Sequence, residues 1–247
     1  YFGGSNHLYR AETGSEVVTD IFPNLSAADG DDPTMFVYDF TIVSEDLVYV
    51  TTATNGIFVT EDQGATFTEL GSGAPAGGND MFVVNDTVML VLGTGTKSKI
   101  TRDSGATWVD CYPGAICYEI GGIMNDTLIA LAKSDIYKIE VADLVDGAPF
   151  NWVSQTLTDN SNLQKMHITD ANNAIIAGDG ESLFATSDAG LSWNAIDMPE
   201  LFVYGAGYDW SSVSTLNGAS YAVSRRIYAI DYPSESDYAD VYGSGLI

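Results

Sequence analysis

The chain has 247 residues, 45% of them hydrophobic, with 34 acidic residues against 9 basic ones and a net charge of −25. This charge repels phosphates and acidic headgroups, so it argues against binding to nucleic acids and to anionic membranes. No apolar run approaches the ~20 residues of a membrane-spanning helix, so we expect no direct membrane insertion. An acidic surface of this kind suits solubility, a saline exterior or a basic partner.

In chain order, short β-rich runs alternate with turns of Asn, Asp and Gly, which is typical of antiparallel meanders. Residues 1–20 predict the two outer strands of an incomplete unit. Full units of four strands are predicted at about residues 36–70, 79–111, 115–157, 163–197 and 202–242. No segment shows a sustained helical period, so the predicted fold class is all-β. The first residue is Tyr rather than Met, and we expect the chain to belong to a longer chain or complex.

One eight-residue motif follows the third predicted strand in three of these units. The copies are Thr60–Phe67, Thr101–Trp108 and Thr186–Trp193. From Asp62 to Asp103 is 41 residues, and from Asp103 to Asp188 is 85, about twice that. A repeat of this period indicates stacked supersecondary units.

The motif resembles the Asp-box, or BNR repeat, of sialidases and many other β-propellers. This resemblance implies one β-propeller domain over residues 1–247, built from four-stranded antiparallel blades. We expect six blades, with the first incomplete. In the family the box joins the two outer strands of a blade, on the face opposite the usual active site.

The chemistry of the motif indicates a structural role. Its aspartate is expected to accept hydrogen bonds from the following turn, its glycine to take a positive φ, and its aromatic residue to pack between blades. The residues assigned to this role are Asp62, Gly64, Phe67, Asp103, Gly105, Trp108, Asp188, Gly190 and Trp193.

Sialidase activity is not expected from these residues. That family binds its substrate carboxylate with three arginines at the centre of the ring, and this chain has only Arg10, Arg102, Arg225 and Arg226. Arg102 lies inside a motif, and the Phe/Tyr-Arg-Ile-Pro signature of the family is missing. Other Asp-box glycosidases use a pair of carboxylates, and no pair stands out here. We therefore predict no catalytic residue, and the sequence favours a protein without enzymatic activity while leaving a glycosidase as the alternative.

The loops that enter the innermost strands are where propellers bind ligands. The predicted ligand face comprises Asp29, Asp31, Asp32, Asp80, Tyr204, Tyr208 and Trp210. Tyrosine and tryptophan there suit a sugar-binding or protein-binding face, or else they fill a blade interface. The cluster at residues 29–32 has the oxygen ligands that Ca²⁺ prefers, but its spacing does not match an EF-hand and an ordinary acidic turn is favoured. No other cofactor is expected.

The two cysteines, Cys111 and Cys117, flank the turn signal Pro113-Gly114. They predict either a disulfide, which would suit an exported protein, or two buried thiols. No second cysteine pair accompanies them, and the histidines are only His7 and His167, so a zinc site is not expected.

The sequence is compatible with two functions from different classes. The first is an exported, non-catalytic propeller, extracellular, at the cell surface or periplasmic, that serves as a structural or protein-interaction module of a larger assembly. The second is a secreted glycoside hydrolase or carbohydrate-binding propeller. The expected partner is accordingly a protein or a glycan. An assembly factor for a membrane complex also resembles known uses of the repeat, but those factors present a basic patch that this sequence lacks.

Overall fold

The computed structural model describes residues 2–4, 7–11, 17–30, 32, 34–71, 73–93, 98–147, 149–157, 162–179, 182–196, 210–216 and 219–224. Its strands form six antiparallel sheets, each in chain order. They fall into two compact units. The first unit holds sheets 1 to 3 with the segment Asp143–Phe150, and the second holds sheets 4 to 6.

Sheet 1 has three strands, one more than the sequence predicts for residues 1–20. They are β1 (Phe2–Gly4), β2 (His7–Ala11) and β3 (Val18–Asp20). The additional strand is β1, which pairs antiparallel with β2. Its short, glycine-rich sequence has no alternation of its own, so its strand conformation depends on this pairing.

Helix α1 (Phe22–Ala28) follows sheet 1, where the sequence predicts only a loop. A proline in the first turn and an N-terminal hydrogen bond from Phe22 N–H to Asp20 Oδ1, 3.0 Å long, favour a helix start. Phe22 and Leu25 are buried in one apolar cluster with residues of sheets 1 and 2. The helix is too short to show a helical period in the sequence, and its packing holds it.

Sheets 2 to 5 each have four strands, as the meander pattern predicts. Sheet 2 comprises β4 (Val37–Ile42), β5 (Val48–Thr52), β6 (Ile57–Thr60) and β7 (Thr68–Glu69). Sheet 3 comprises β8 (Gly78–Val83), β9 (Met89–Gly93), β10 (Lys99–Thr101) and β11 (Val109–Asp110).

In the second unit, sheet 4 comprises β12 (Glu119–Met124), β13 (Thr127–Leu131), β14 (Asp135–Glu140) and β15 (Val153–Thr156). The short helix α2 (Val141–Asp146) precedes β15. Sheet 5 comprises β16 (Leu163–Ile168), β17 (Ala174–Gly178), β18 (Leu183–Thr186) and β19 (Asn194–Ala195). Of the unit predicted at 202–242, the structure describes β20 (Trp210–Leu216) and β21 (Ala219–Ser224), and the rest lies outside the described residues.

The core lies between the sheets of each unit. Every residue of β5, β9 and β17 is buried, whereas the fourth strands β7, β11 and β19 are exposed. Runs rich in Val, Ile and Leu suit a strand that is covered on both faces. Within the first unit β4 packs against β8, and within the second β12 packs against β16.

A β-bulge recurs near the start of the first strand in sheets 2 to 6. The pairing register shifts between Val37 and Asp39, Gly78 and Asp80, Ile120 and Gly122, Leu163 and Lys165, and Trp210 and Ser212. A bulge adds one residue on one strand and re-aims the side chains beside it. In sheet 2 the additional residue is Tyr38.

Within the described ranges, no helix has the length and apolar character to cross a bilayer.

Candidate functional site

Each motif forms the turn between the third and fourth strands of its sheet. In the first copy, Asp62 Oδ1 accepts the Thr60 hydroxyl at 2.8 Å and the Thr66 N–H at 2.8 Å. Its other oxygen accepts the Thr66 hydroxyl at 2.6 Å, and the Thr60 hydroxyl oxygen accepts Gly64 N–H at 2.8 Å. Both carboxylate oxygens of Asp62 therefore hold the turn together.

The other two copies repeat this network. Asp103 accepts the hydroxyl and N–H of Thr107 at 2.6 and 2.8 Å, and Asp188 accepts those of Ser192 at 2.5 and 2.9 Å. The Ser192 hydroxyl, then its N–H and the Thr186 hydroxyl, lower the pKa of Asp188 to about 2. Equivalent donors lower the pKa of Asp62 and Asp103. Such acids stay ionised at neutral pH and are poor proton donors, which supports a structural role.

These depressed pKa values link stability to pH. A carboxylate whose pKa is about 2 in the folded state and 3.8 otherwise stabilises the fold above about pH 4, and this contribution is lost as the pH falls toward about 2. Asp188→Asn keeps an acceptor oxygen but cannot titrate. We expect this variant to lose less stability than the wild type between about pH 5 and pH 2 in urea unfolding. Asp110→Asn controls for net charge, and parallel pH profiles for Asp188→Asn and wild type would contradict the assignment.

The aromatic position of the motif is bonded differently in the two tryptophan copies. Trp108 Nε1 donates to Gly105 O at 3.1 Å. In the third copy Lys138 Nζ donates to the equivalent carbonyl, Gly190 O, at 3.0 Å. The buried Nε1 of Trp193 has no hydrogen-bond partner in the part of the chain that the structure describes.

This difference predicts unequal costs for the same substitution. Trp108→Phe removes a hydrogen bond worth about 1 kcal/mol, whereas Trp193→Phe removes a buried donor that has no partner. Trp193 is also less completely buried than Trp108, so we expect Trp108→Phe to cost about 1–2 kcal/mol more free energy of unfolding. Urea denaturation followed by circular dichroism measures both. Equal costs would contradict this bonding scheme.

The strand directions place the motif turns and the strand entries at opposite ends of each sheet. In sheet 2 the motif turn lies beside the β4–β5 turn, where Gln63 Nε2 donates to Asp46 Oδ1 at 2.8 Å. The start of β4 lies beside the β5–β6 turn, where Ala53 N–H donates to Phe36 O at 2.9 Å. We call the first the motif end and the second the entry end.

Two carboxylates of the predicted ligand face meet at the entry end of sheet 2. Asn55 Nδ2 donates to Asp29 Oδ2 at 2.5 Å and to Asp32 Oδ2 at 3.2 Å. We call Asp29, Asp32 and Asn55 the acidic corner. The Thr34 hydroxyl and N–H each lie 2.7 Å from Asp32 Oδ1, and these two bonds lower the pKa of Asp32.

Two aromatic rings that sequence reasoning missed lie at the same end. Phe36 and Tyr38 are 40% and 47% exposed, with ring centroids 5.4 Å apart and planes at 73°. We call them the ring pair. Val37 between them is buried, and Tyr38 is the additional residue of the β-bulge. The run 35–38 is apolar or aromatic throughout, so the sequence does not show which residues face solvent.

The remaining predicted ligand-face residues do not join this site. Asp80 is half-buried on β8, and its Oδ1 accepts the N–H of the next residue, Met81, at 2.8 Å. Asp31, Tyr204 and Tyr208 lie outside the described residues, as does the side chain of Trp210. Among the described residues no group of three His, Cys, Asp or Glu side chains is placed to hold a metal ion. Calcium binding by residues 29–32 stays a prediction.

In the second unit, the entry end carries its own polar contacts. Buried Glu119, at the start of β12, forms an ion pair with Lys165 on β16 and accepts Met166 N–H at 3.4 Å. Asn162 and Gln164 donate to the two oxygens of Asp179 at 2.7 and 3.2 Å. The Glu119–Lys165 pair joins the first strands of neighbouring sheets, so it has a packing role.

Arg102 and the cysteines lie in the first unit, away from the acidic corner. Arg102 Nε donates to Leu144 O at 2.7 Å, and its guanidinium lies 4.9 Å from the centre of the Phe150 ring. Cys111 and Cys117 are both fully buried, and burial raises the pKa of the Cys117 thiol to about 12. The disulfide between them stays a prediction.

Comparison with solved structures gives the fold. YCF48 bound to D1 peptide matches with a TM-score of 0.55 and 12% identity, over 75% of this chain and 59% of that chain. The GH74 enzyme of Niastella koreensis matches with a TM-score of 0.50 and 15% identity, over 62% of this chain and 28% of that chain. PorZ, a surface component of the type-IX secretion system of Porphyromonas gingivalis, matches with a TM-score of 0.53 and 14% identity, over 83% of this chain and 25% of that chain.

These neighbours are β-propeller-type proteins. The chain has a β-propeller-type fold. Sheets 2 to 5 are its four-stranded antiparallel sheets, and β4, β8, β12 and β16 are their first strands. The chain spans about three fifths of the YCF48 chain and about a quarter of the other two. No protein-family model and no curated protein matches the sequence.

Proposed function

We propose that this propeller is an exported, non-catalytic module of a larger extracellular assembly and binds a protein partner through its entry end. The observation that carries the proposal is the ring pair at the start of β4, the first strand of sheet 2. Phe36 and Tyr38 leave 40% and 47% of their surface in solvent, although aromatic side chains gain most from burial. Exposed aromatic residues of this kind are typical anchors in protein interfaces.

The comparisons support an interaction role without specifying it. YCF48 was solved with a peptide bound, and PorZ is a surface component of a secretion system. At sequence identities of 12% and 14%, these matches show the fold alone. The partner and the location proposed for this chain therefore rest on its own residues. The motif aspartates are engaged in hydrogen bonds within their own turns, and we assign the binding face to the entry end, where the ring pair lies.

The alternative is a glycoside hydrolase or carbohydrate-binding propeller. It is favoured by the closeness of Asp29 and Asp32 to one amide, beside rings on which a sugar can stack. A hydrolase of this type needs one carboxyl that keeps its proton, and the pKa of Asp32 is lowered instead. Asp32 could therefore serve only as the ionised member of such a pair.

Site-specific photocrosslinking in the organism that makes the protein tests the proposal. A benzophenone amino acid replaces Tyr38 at the entry end or, as the control, Val109 on β11, which is 48% exposed. We expect one discrete crosslinked protein from position 38 and none from position 109. The proposal fails if position 38 yields no crosslinked protein. It also fails if purified protein hydrolyses a polysaccharide and Asp32→Asn abolishes that activity.

A further inference from the structure

The acidic corner and the ring pair both lie at the entry end of sheet 2. Asn55, which holds both carboxylates, lies two residues after Ala53, whose N–H donates to Phe36 O at 2.9 Å. Asp32 lies four residues before Phe36 on the same chain segment, fixed by its bonds to Thr34. The segments that carry the two carboxylates and the two exposed rings therefore meet at the start of β4.

Both halves of this surface suit a positively charged group. A lysine or arginine side chain gains from a carboxylate through charge-assisted hydrogen bonds and from an aromatic face through cation–π contact. The bonds from Thr34 keep Asp32 ionised at neutral pH, because they lower its pKa. Asp29 donates nothing to Asn55 and accepts from it, so the amide organises both carboxylates without neutralising them.

We propose that the acidic corner and the ring pair bind a lysine- or arginine-bearing segment of the partner protein. The aromatic faces of Phe36 and Tyr38 contact the aliphatic stem and the charged head of that side chain. Asp29 and Asp32 accept charge-assisted hydrogen bonds from the charged head. The net charge of −25 attracts such a segment over longer distances and speeds its association. This inference rests on the proposed interaction function and adds the chemistry of the partner.

A neutral glycan is the competing occupant. It would stack on Phe36 and Tyr38 and donate hydroxyl hydrogen bonds to the carboxylates, but only a cation also gains from the charge of two ionised groups held side by side. Charge complementarity therefore decides in favour of a basic peptide. The glycan is a separate outcome of the test below.

The test is peptide binding to the full chain, measured by fluorescence anisotropy. The probes are a fluorescein-labelled decapeptide of alternating lysine and glycine, and the same peptide with glutamine in place of lysine. We expect the lysine peptide to bind and the glutamine peptide not to bind. Because the whole surface is acidic, the decisive comparison is between variants that remove the same number of charges.

Asp29→Asn with Asp32→Asn keeps the shapes of the two side chains and one acceptor oxygen on each, but removes both charges. Glu45→Gln with Glu61→Gln removes two exposed charges from the motif end of the same sheet. We expect the first pair to weaken lysine-peptide binding by about tenfold or more, and the second by less than about twofold. Tyr38→Ala is expected to weaken it by about tenfold as well, because aromatic anchors dominate such contacts. Circular dichroism confirms that each variant is folded, and Tyr38→Ala alone decides the matter if the double variant is not.

Three results would overturn the inference: equal losses in the two double variants, equal binding of the glutamine peptide, or displacement of the lysine peptide by a neutral oligosaccharide such as cellohexaose. Absence of lysine-peptide binding would also overturn it. A specific crosslink from position 38 combined with any of these results would leave the interaction role standing and remove only the charge assignment. If the crosslink is lost but peptide binding that depends on Asp29 and Asp32 is retained, the charge assignment of the surface stands and the proposed partner protein is removed.

Discussion

Leu25→Ala is expected to lower the free energy of unfolding by about 2–5 kcal/mol. Leu25 is fully buried in helix α1 and packs in one cluster with Leu8, Met35 and Phe58. Shortening it removes apolar contacts and leaves a cavity that β-sheet neighbours cannot close by moving. Urea denaturation followed by tryptophan fluorescence and circular dichroism measures the loss.

Leu25→Met is the matched control, because it conserves the side-chain volume and is expected to cost less than about 1.5 kcal/mol. The contrast matters for the binding face, since α1 ends at Asp29 of the acidic corner. If peptide binding is measured on Leu25→Ala below its unfolding transition, we expect it to be weaker than in Leu25→Met. Similar stabilities for the two variants would show that α1 is not held by this cluster.

Gly64→Ala is expected to cost about 2–5 kcal/mol, from two separate causes. The backbone at Gly64 has φ +87°, a conformation in which an alanine is strained by about 1–2 kcal/mol. A Cβ there would also lie 2.6 Å from Cδ1 and 3.2 Å from Cβ of Ile21, which is 3% exposed and confined by its neighbours. Thermal and urea unfolding give the cost.

The third motif supplies two controls for this prediction. Gly190→Ala has the same kind of strain, at φ +78°, but the nearest atom to its Cβ would be Ile129 Cδ1, at 3.1 Å, so we expect a smaller loss. Ala189, the residue before it, already has φ +59°, so Ala189→Gly is expected to relieve strain and raise stability by up to about 1 kcal/mol. Neighbouring substitutions would then have opposite signs. A stabilising Gly64→Ala or a strongly destabilising Ala189→Gly would contradict this account of the turn.

The motif turns were predictable because their interactions are short in sequence. Every side-chain bond of Asp188 runs to a residue within four positions, so the spacing of Thr186, Asp188 and Ser192 contains the whole network. The bonding of Trp193 was not predictable in this way. Lys138, whose Nζ donates to the Gly190 carbonyl oxygen, lies 52 residues away in sequence. The two residues are neighbours only in the folded sheets.

The residues of the proposed binding surface also differ in whether the sequence could predict them. Asp29 and Asp32 were predicted from the acidic loop, whereas Asn55, which holds them, lies 26 and 23 residues further along the chain. The ring pair was missed because alternation tells which residues share a face but not which face is covered. The bulge between Val37 and Asp39 breaks even that alternation, and it depends on pairing with β5.

The sequence by itself determined the β-rich repeat, the four-stranded antiparallel units and the turn that each motif makes. These features follow from local preferences and from hydrogen bonds that span a few residues. Only the tertiary structure decided the third strand of sheet 1, helix α1, the exposure of Phe36 and Tyr38, and their position beside Asp29 and Asp32. Each of these depends on contacts between segments far apart in sequence, whose free energy exists only once the sheets have formed.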